Sequence, residues 1–238
     1  MIKNQTSIVD DRGYNQGFRE TKALKKRMER RGDWLIAQMD TKAAKKVMEI
    51  GCGTGFLSYY IAHTTHMQVT GSDMCRPFIK EARQKYVLPN LHFEVLDFNE
   101  PGVSAKGSVD YIIGNGILHH LYNTLSEVLP TLKTLLNPGG KIIFMEPNIY
   151  NPYIAAIFKS RKLRQWAKLE PDEMAFSKKF ITGKLAEAGF SKIDIQYKDF
   201  LLPGVPEVFI NPLIHLGNFL EKTPLKILSQ SLLISAAK

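Results

Sequence analysis

Short apolar runs alternate with longer amphipathic stretches from Lys46 onward. The apolar runs are bounded by Gly, Pro and Asn and predict strands over Val47–Ile50, Met67–Ser72, Leu91–Leu96, Val109–Ile113 and Lys141–Met145. The stretches between them have helical spacing, over Phe56–His63, Arg76–Tyr86 and Leu121–Leu136. Such alternation is typical of an α/β protein, in which helices cover both faces of a parallel sheet.

The chain continues with one more helix and two more strands. Ser177–Ala188 predicts a helix that ends at Gly189 as a C-cap, and Lys192–Tyr197 and Ser231–Ala236 predict the closing strands. The sequence Asn137–Gly140 (Asn-Pro-Gly-Gly) predicts a helix stop and a tight turn into the fifth strand.

Four segments lie outside this alternation. Residues 1–15 are polar and predict a loose arm or a flap that orders on ligand, whereas Gln16–Met39 has helical spacing. That helix carries the densest positive cluster of the chain, formed by Lys22, Lys25, Lys26, Arg27, Arg30 and Arg31. A charge run of this kind favours a solvated helix face. Asn148–Ala175 is aromatic and basic, and Leu201–Ser229 is apolar with several prolines.

Composition narrows the class of protein. The 238 residues are 44% hydrophobic and 23% charged, which predicts one globular domain, and the net charge of +9 favours an anionic partner. The two cysteines, Cys52 and Cys75, exclude a disulfide scaffold and an all-cysteine zinc site. Both are expected to be small buried residues in a reducing cytoplasm. We expect no export signal, and the least polar stretch, Val208–Leu220, is too short for a membrane span.

The candidate chemistry begins where the first strand runs into Gly51, Gly53 and Gly55 and then into a helix. Glycines let backbone N–H groups and a helix N-terminus approach a ligand closely. The nicotinamide fingerprint is absent because Phe56 stands where its third glycine belongs, and no Gly-Lys-Ser/Thr of a P-loop occurs. The alternative is that these glycines only pack the helix against the strand.

Acidic residues at three strand ends favour a ligand site over that alternative. Glu49 lies two residues before the first glycine, where it would repel a pyrophosphate but suit an ammonium or sulfonium group. Asp73 ends the second strand twenty positions after Gly53, where a carboxylate can accept both ribose hydroxyls. Asp97 ends the third strand, in place for an adenine amino group. Together they predict an adenosine with a positively charged tail.

The chain resembles class I S-adenosylmethionine-dependent methyltransferases over residues 45 to 238. The motifs that carry the resemblance are Glu49–Gly55, Asp73, Asp97-Phe98, Asn115–Leu121, Leu135–Gly140 and Phe180–Phe190. The resemblance implies a Rossmann-like three-layer sandwich whose seven-stranded, mostly parallel sheet has an antiparallel last strand and helical cap insertions. It also implies S-adenosyl-L-methionine as cofactor and S-adenosyl-L-homocysteine as product.

The resemblance further implies a set of cofactor-binding positions. They are Glu49, Gly51, Cys52, Gly53, Gly55, Asp73, Met74, Asp97, Phe98, Asn115 and Gly116. Cys52 is expected to be a tolerated small residue rather than a nucleophile. Met74 and Phe98 stand where the family sandwiches the adenosine, with simple core packing as the alternative.

Three residues are candidates for catalysis. His119, at the mouth of the site, is the candidate to contact substrate and to accept a proton from a hydroxyl or an amine. His120 is expected chiefly to pack. Glu146, at the end of the fifth strand, is either a substrate carboxylate or the buried partner of a lysine. No metal is expected.

The predicted function is O- or N-methylation of a small-molecule, lipid or secondary-metabolite acceptor by in-line displacement. An RNA methyltransferase is the alternative because of the net charge of +9, and a cofactor-binding protein without turnover is the third hypothesis. Nucleic acid is the less favoured partner, because no Asn-Pro-Pro-Tyr type motif and no RNA-binding module is apparent.

The expected organisation is one cytoplasmic domain over residues 1–238. It has an N-terminal arm and helix at 1–45 and substrate-binding caps at 148–176 and 201–229. These aromatic, basic and apolar caps predict an anionic or lipid-like acceptor and peripheral membrane contact, with no transmembrane segment.

Overall fold

A computed structural model describes residues 21–43, 45–97, 108–167, 169–170 and 172–238. The predicted arm over residues 1–15, the first residues of the helix predicted from Gln16, and Phe98 lie outside these described residues.

Strands and helices follow the predicted alternation. The strands are β1 Lys46–Ile50, β2 Gln68–Asp73, β3 Leu91–Val95, β4 Val109–Asn115, β5 Leu136–Pro147, β6 Ser191–Lys198 and β7 Ser231–Ala237. The α-helices are α1 Lys22–Ile36, α2 Phe56–Thr64, α3 Arg76–Lys85, α4 Leu125–Leu135, α5 Pro152–Lys159, α6 Arg161–Trp166, α7 Lys178–Glu187 and α8 Glu207–Leu220. Two 3-10 helices cover Leu118–Thr124 and Pro224–Leu228.

The strands form one seven-stranded sheet in the order β3-β2-β1-β4-β5-β7-β6. The pairs from β3 to β5 are parallel, and β7 is antiparallel to both of its neighbours. The predicted fold class is therefore confirmed. The strand order reverses between β1 and β4, and ligands of open α/β sheets bind at the carboxyl ends of the strands beside such a reversal.

Apolar side chains bury both faces of the sheet. Successive residues of a strand point to opposite faces, so Ile112 packs towards α4 and α7 while Ile113 packs towards α1 and α2. Because helices cover each face, the central strands carry mainly apolar side chains, and the buried Glu49 and Glu146 lie towards the carboxyl ends of their strands. No helix in the described part of the chain combines the length and the hydropathy that a membrane span requires.

Two local expectations differ from the structure. Asn137–Gly140 is a bulge inside β5 rather than a turn before it, because Leu136 pairs with Val109 and Lys141 pairs with Tyr111. The bulge needs Gly139, whose φ is 77°. The helix predicted from Leu121 begins earlier, as the 3-10 helix at Leu118, and becomes an α-helix at Leu125.

Helix α1 is fastened to the carboxyl end of the sheet by two arginines. Arg27 Nε donates to Asp199 Oδ2 at 2.6 Å, and Arg31 donates to the same oxygen from Nε at 3.0 Å and from Nη2 at 2.8 Å. Asp199 directly follows β6, is fully buried and has a left-handed φ of 76°. Burial by itself would raise the pKa of Asp199, but the two arginines outweigh burial and hold that pKa below its usual value.

The charge run of α1 was expected to form a solvated helix face, but only part of it is exposed to solvent. Lys22, Lys25 and Lys26 are exposed as predicted, whereas Arg31 is 8% exposed and burial lowers its pKa to about 10. Arg31 also donates from Nη2 to Ser231 Oγ at 2.6 Å. Arg31 is thus part of a polar cluster inside the protein.

Asp199→Asn is expected to lower the free energy of unfolding by about 3–5 kcal/mol, because it leaves two poorly solvated arginines without their carboxylate. Asparagine tolerates the left-handed backbone, so the change isolates the charge. Denaturant unfolding measures the loss. Glu207→Gln, which removes the exposed Lys22–Glu207 ion pair, is the control and should cost less than about 1 kcal/mol. Equal losses in the two variants would contradict the anchoring role of Asp199.

Candidate active site

The glycine turn after β1 has a left-handed backbone at each glycine. The φ angles of Gly51, Gly53 and Gly55 are 64°, 53° and 84°. A Cβ on Gly51 would lie 2.6 Å from Ile117, and one on Gly55 would lie 2.6 Å from Phe93, so these two glycines permit close packing. No described atom lies within 4 Å of the place where a Cβ of Gly53 would be. The middle glycine therefore faces open space, where a ligand can approach the backbone.

Asp73 at the end of β2 holds this turn. Its Oδ2 accepts the Gly53 N–H at 2.8 Å and its Oδ1 accepts the Cys75 N–H at 2.9 Å. Burial raises the pKa of Asp73, and these backbone N–H groups oppose the rise. The structure thus brings Gly53 and Asp73, two of the predicted cofactor-binding residues, into direct contact. Met74 and Asp97 are half-buried at the ends of β2 and β3.

Glu49 lies beneath the turn and is 2% exposed. Its Oε2 accepts from Ser58 Oγ at 2.5 Å, and burial raises the pKa of Glu49 to about 7. The negative charge of Asp73 adds to that rise. A cation near Glu49 and Asp73 would favour the ionised form of both carboxylates. The chemistry of this donor set therefore fits a ribose that carries a sulfonium or ammonium group.

Both cysteines are buried, as predicted. Burial raises the pKa of the Cys52 thiol far above its usual value, and the charges of Glu49 and Asp73 raise it further. A thiol in such surroundings stays protonated and unreactive. The side chain of Cys52 serves as a small packing residue of the turn.

At the end of β4, Asn115 is held by helix α1. Arg31 Nη1 donates to Asn115 Oδ1 at 2.6 Å. Gly116 follows with a φ of 72°, and its N–H donates to Met145 O at 2.7 Å. Helix α1 therefore reaches the strand end that the sequence predicted to bind cofactor, a contact that no sequence signal indicated.

The buried Glu146 and the half-buried His119 form a pair at the end of β5. His119 Nδ1 lies 2.9 Å from Glu146 Oε2, and the carboxylate is 1% exposed. Glu146 Oε1 also accepts the N–H groups of Ile117 at 3.0 Å and Leu118 at 2.8 Å, at the start of the 3-10 helix. Of the two expectations for Glu146, burial is found, but its partners are His119 and backbone N–H groups rather than a lysine.

His120 pairs with a residue that the sequence did not single out. Its Nδ1 lies 2.9 Å from Oε1 of Glu173, which is 3% exposed and precedes α7. The rings of His119 and His120 are 4.2 Å apart at their centroids. His120 is close enough to Asp73 to oppose the rise that burial causes in the pKa of that carboxyl.

Comparison with known proteins agrees with this geometry. A family model described as a methyltransferase domain matches residues 41–189. A ubiquinone/menaquinone biosynthesis C-methyltransferase of Desulfotalea psychrophila is 23% identical over 189 residues, which are 71% of this chain and 74% of that protein. A phosphoethanolamine N-methyltransferase of Triticum aestivum is 26% identical over 133 residues, 53% of this chain and 26% of that protein.

Solved structures share the fold at low identity. An S-adenosylmethionine-dependent methyltransferase from Mesorhizobium loti superposes with a TM-score of 0.65 at 18% identity, over 87% of this chain and 98% of that chain. The Haemonchus contortus phosphoethanolamine N-methyltransferase 2 in complex with S-adenosyl-L-methionine gives 0.63 at 15% identity, over 88% of this chain and 52% of that chain. Because the family model matches more than half of the chain, the protein belongs to the methyltransferase-domain family and is a class I enzyme that uses S-adenosyl-L-methionine.

Proposed function

We propose that this methyltransferase acts on a small-molecule or lipid-like acceptor whose attacking atom loses a proton to His119. The contact between His119 Nδ1 and Glu146 Oε2 carries the proposal. A carboxylate can only accept a hydrogen bond, so Nδ1 carries the proton of the neutral ring and Nε2 is left as a base. Glu146 is then a positioning residue that sets the tautomer and stabilises the imidazolium.

The cofactor is proposed to lie across the carboxyl ends of β1, β2 and β3. When bound, it supplies an electrophilic methyl group on a sulfonium. Asp73 would accept its ribose hydroxyls and Gly53 would let it approach the backbone, while Glu49 provides negative charge near the sulfonium. Asp97 at the adenine, with Met74, Phe98 and Gly116 as further contacts, stays a prediction.

Helix α1 is proposed to orient the acceptor and to exclude water. Arg31 ties it to Asn115 beside the glycine turn, and Arg27 and Arg31 tie it to Asp199 at the far side of the sheet. Alignment of the attacking atom with the methyl group is worth several kcal/mol in such displacements. A helix fastened at two strand ends provides a rigid wall for that alignment.

The proposal of a lipid-like acceptor rests on an exposed apolar surface of α8 and the following 3-10 helix, called here the apolar outer face. Ile210 and Gly217 on the inner side of α8 are buried, whereas the opposite side is exposed. The apolar outer face consists of Val208, Phe209, Leu216, Phe219, Leu225 and Ile227, which are 41–73% exposed. A contiguous exposed apolar patch of this kind is typical of a surface that contacts a membrane or another protein.

Exposed lysines lie on α1, which packs against α8, and beside α8 itself. Lys22, Lys25 and Lys26 on α1 and Lys222 and Lys226 beside α8 are exposed. Apolar side chains flanked by lysines suit the interface of an anionic membrane. The surface therefore favours an acceptor that is lipid-like or is presented at a membrane. RNA remains the second candidate, since the same lysines could contact phosphates.

Asp73→Ala is expected to weaken the binding of S-adenosyl-L-methionine at least about tenfold, because it removes a charged acceptor of the ribose hydroxyls. Titration calorimetry measures the affinity. Glu187→Gln is the control, since this exposed carboxylate on α7 pairs with Lys184 and lies outside the proposed site. Unchanged affinity in Asp73→Ala would contradict the proposal that Asp73 binds the ribose of the cofactor.

His119→Ala is expected to lower kcat by about 10²- to 10⁴-fold, the usual contribution of a general base, with little change in cofactor affinity. Glu146→Gln should lower kcat and also alter the pH profile, because the amide no longer sets the tautomer of His119. Transfer of labelled methyl to lipid, small-molecule, RNA and protein fractions of a lysate provides the assay. His63→Ala, at the exposed end of α2, is the control. Label in RNA alone would contradict the acceptor class.

A variant carrying both Phe209→Ser and Phe219→Ser is expected to bind vesicles of one-third phosphatidylglycerol at least about tenfold more weakly, because burying each phenylalanine contributes about 1.5–3 kcal/mol. Co-sedimentation measures the binding, and added salt should weaken it. The control is Val87→Ser, which changes an 82% exposed apolar residue just before β3, at the opposite end of the parallel strands. Equal binding by both variants would argue against membrane contact through the apolar outer face.

A further inference from the structure

Glu173 has one carboxylate oxygen that the histidine pair does not use. Its Oε1 contacts His120, but Oε2 is buried and has no hydrogen-bond partner among the described residues. Burying a carboxylate oxygen without a partner costs free energy, so an occupant of this place is expected to compensate it. The nitrogen and oxygen ligand atoms of His119, His120 and Glu173 all lie within 4.8 Å of one another.

We propose that His119, His120 and Glu173 bind a divalent transition-metal ion. Two imidazole nitrogens and one carboxylate oxygen form a donor set that suits Zn²⁺, Fe²⁺, Co²⁺ or Ni²⁺ and does not suit Mg²⁺ or Ca²⁺. Bonds of about 2.0–2.2 Å around one ion require the ligand atoms to be about 3–3.5 Å apart. Small rotations of these side chains would bring them to that spacing.

The proposed site already has the outer contacts that metal-binding histidines need. His119 Nδ1 is engaged by the buried Glu146, which leaves Nε2 for the metal. This carboxylate–histidine arrangement fixes the orientation of a ligating ring and raises its basicity. Phe158 packs edge-on against His119 with the ring centroids 6.0 Å apart, which adds an apolar wall.

Hydrogen bonds of the residues before and after Glu173 hold the segment that carries this carboxylate against the 3-10 helix that carries the two histidines. The Met174 N–H donates to the carbonyl oxygen of His119 at 3.2 Å, and Asn123 Nδ2 donates to Asp172 Oδ1 at 2.9 Å. Arg164 Nη1 also donates to the carbonyl oxygen of Glu173 at 2.9 Å. Because this segment is attached to the 3-10 helix, the three ligands are positioned before any metal arrives.

A bound metal would alter the proposed chemistry of His119. A metal on Nε2 occupies the lone pair that would otherwise accept the proton of the acceptor. Metal occupancy and general-base action therefore exclude one another, and we expect a transition metal to inhibit methyl transfer. This consequence rests on the proposed function, whereas metal binding itself does not.

The binding test uses the full chain after treatment with a chelator. Titration with Zn²⁺ by calorimetry, and with Co²⁺ by visible absorption, should show one ion per chain. Glu146→Gln should weaken binding about 10- to 100-fold, and Glu173→Gln, which removes a direct ligand, should weaken it at least as much. His63→Ala and Glu187→Gln should leave it unchanged. Calorimetry with S-adenosyl-L-methionine checks that each variant is folded.

Absence of stoichiometric Zn²⁺ binding, or equal affinity in Glu173→Gln and the unaltered chain, would overturn the metal site. Zn²⁺ inhibition of methyl transfer should have a midpoint at the measured Kd and should reverse with chelator. Zn²⁺ binding without inhibition would uphold the metal site and count against His119 as the base. Loss of transfer in His119→Ala without any Zn²⁺ binding would uphold the base and overturn the metal site.

Discussion

A carboxylate that leaves water must gain hydrogen bonds or an opposite charge, and this constraint governs the carboxyl edge of the sheet. Asp199 is compensated by two arginines, and Glu146 by His119 and backbone N–H groups. These two anchors fix helix α1 and the 3-10 helix in place. Glu49 and Asp73 keep raised pKa values in spite of their hydrogen bonds. A cationic ligand beside Glu49 and Asp73 would therefore stabilise their ionised forms.

The positively charged residues of α1 include arginines that pair at the carboxyl edge of the sheet and lysines that are exposed. Arg27 and Arg31 form ion pairs with the buried Asp199, and Arg31 also donates a hydrogen bond to Asn115. The lysines of α1 remain at the surface, and α8, which packs against α1, exposes a row of apolar side chains. The positive charge of α1 thus contributes to its attachment to the sheet and to the surface on which the proposed anionic or lipid-like partner would bind.

Much of the fold could be predicted from local pattern, because a buried parallel strand needs a continuous apolar run and a covering helix needs an amphipathic one. The position of the glycine turn near Asp73 could likewise be predicted, because the carboxyl ends of parallel strands lie at the same edge of the sheet. The bulge at Asn137–Gly140 could not be predicted, because a strand irregularity depends on the register of the neighbouring strand. Strand pairing with β4 decides it.

The sequence by itself determined the fold class, the methyltransferase family and the identity of the acidic residues at the strand ends. Only the tertiary structure decided which side chains pair at that edge, because Arg31 and Asp199 are 168 positions apart and His120 pairs with Glu173, which the sequence did not single out. No local signal distinguishes Arg31 from the exposed lysines of the same helix. Burial separates them, and burial depends on which side of α1 faces the sheet.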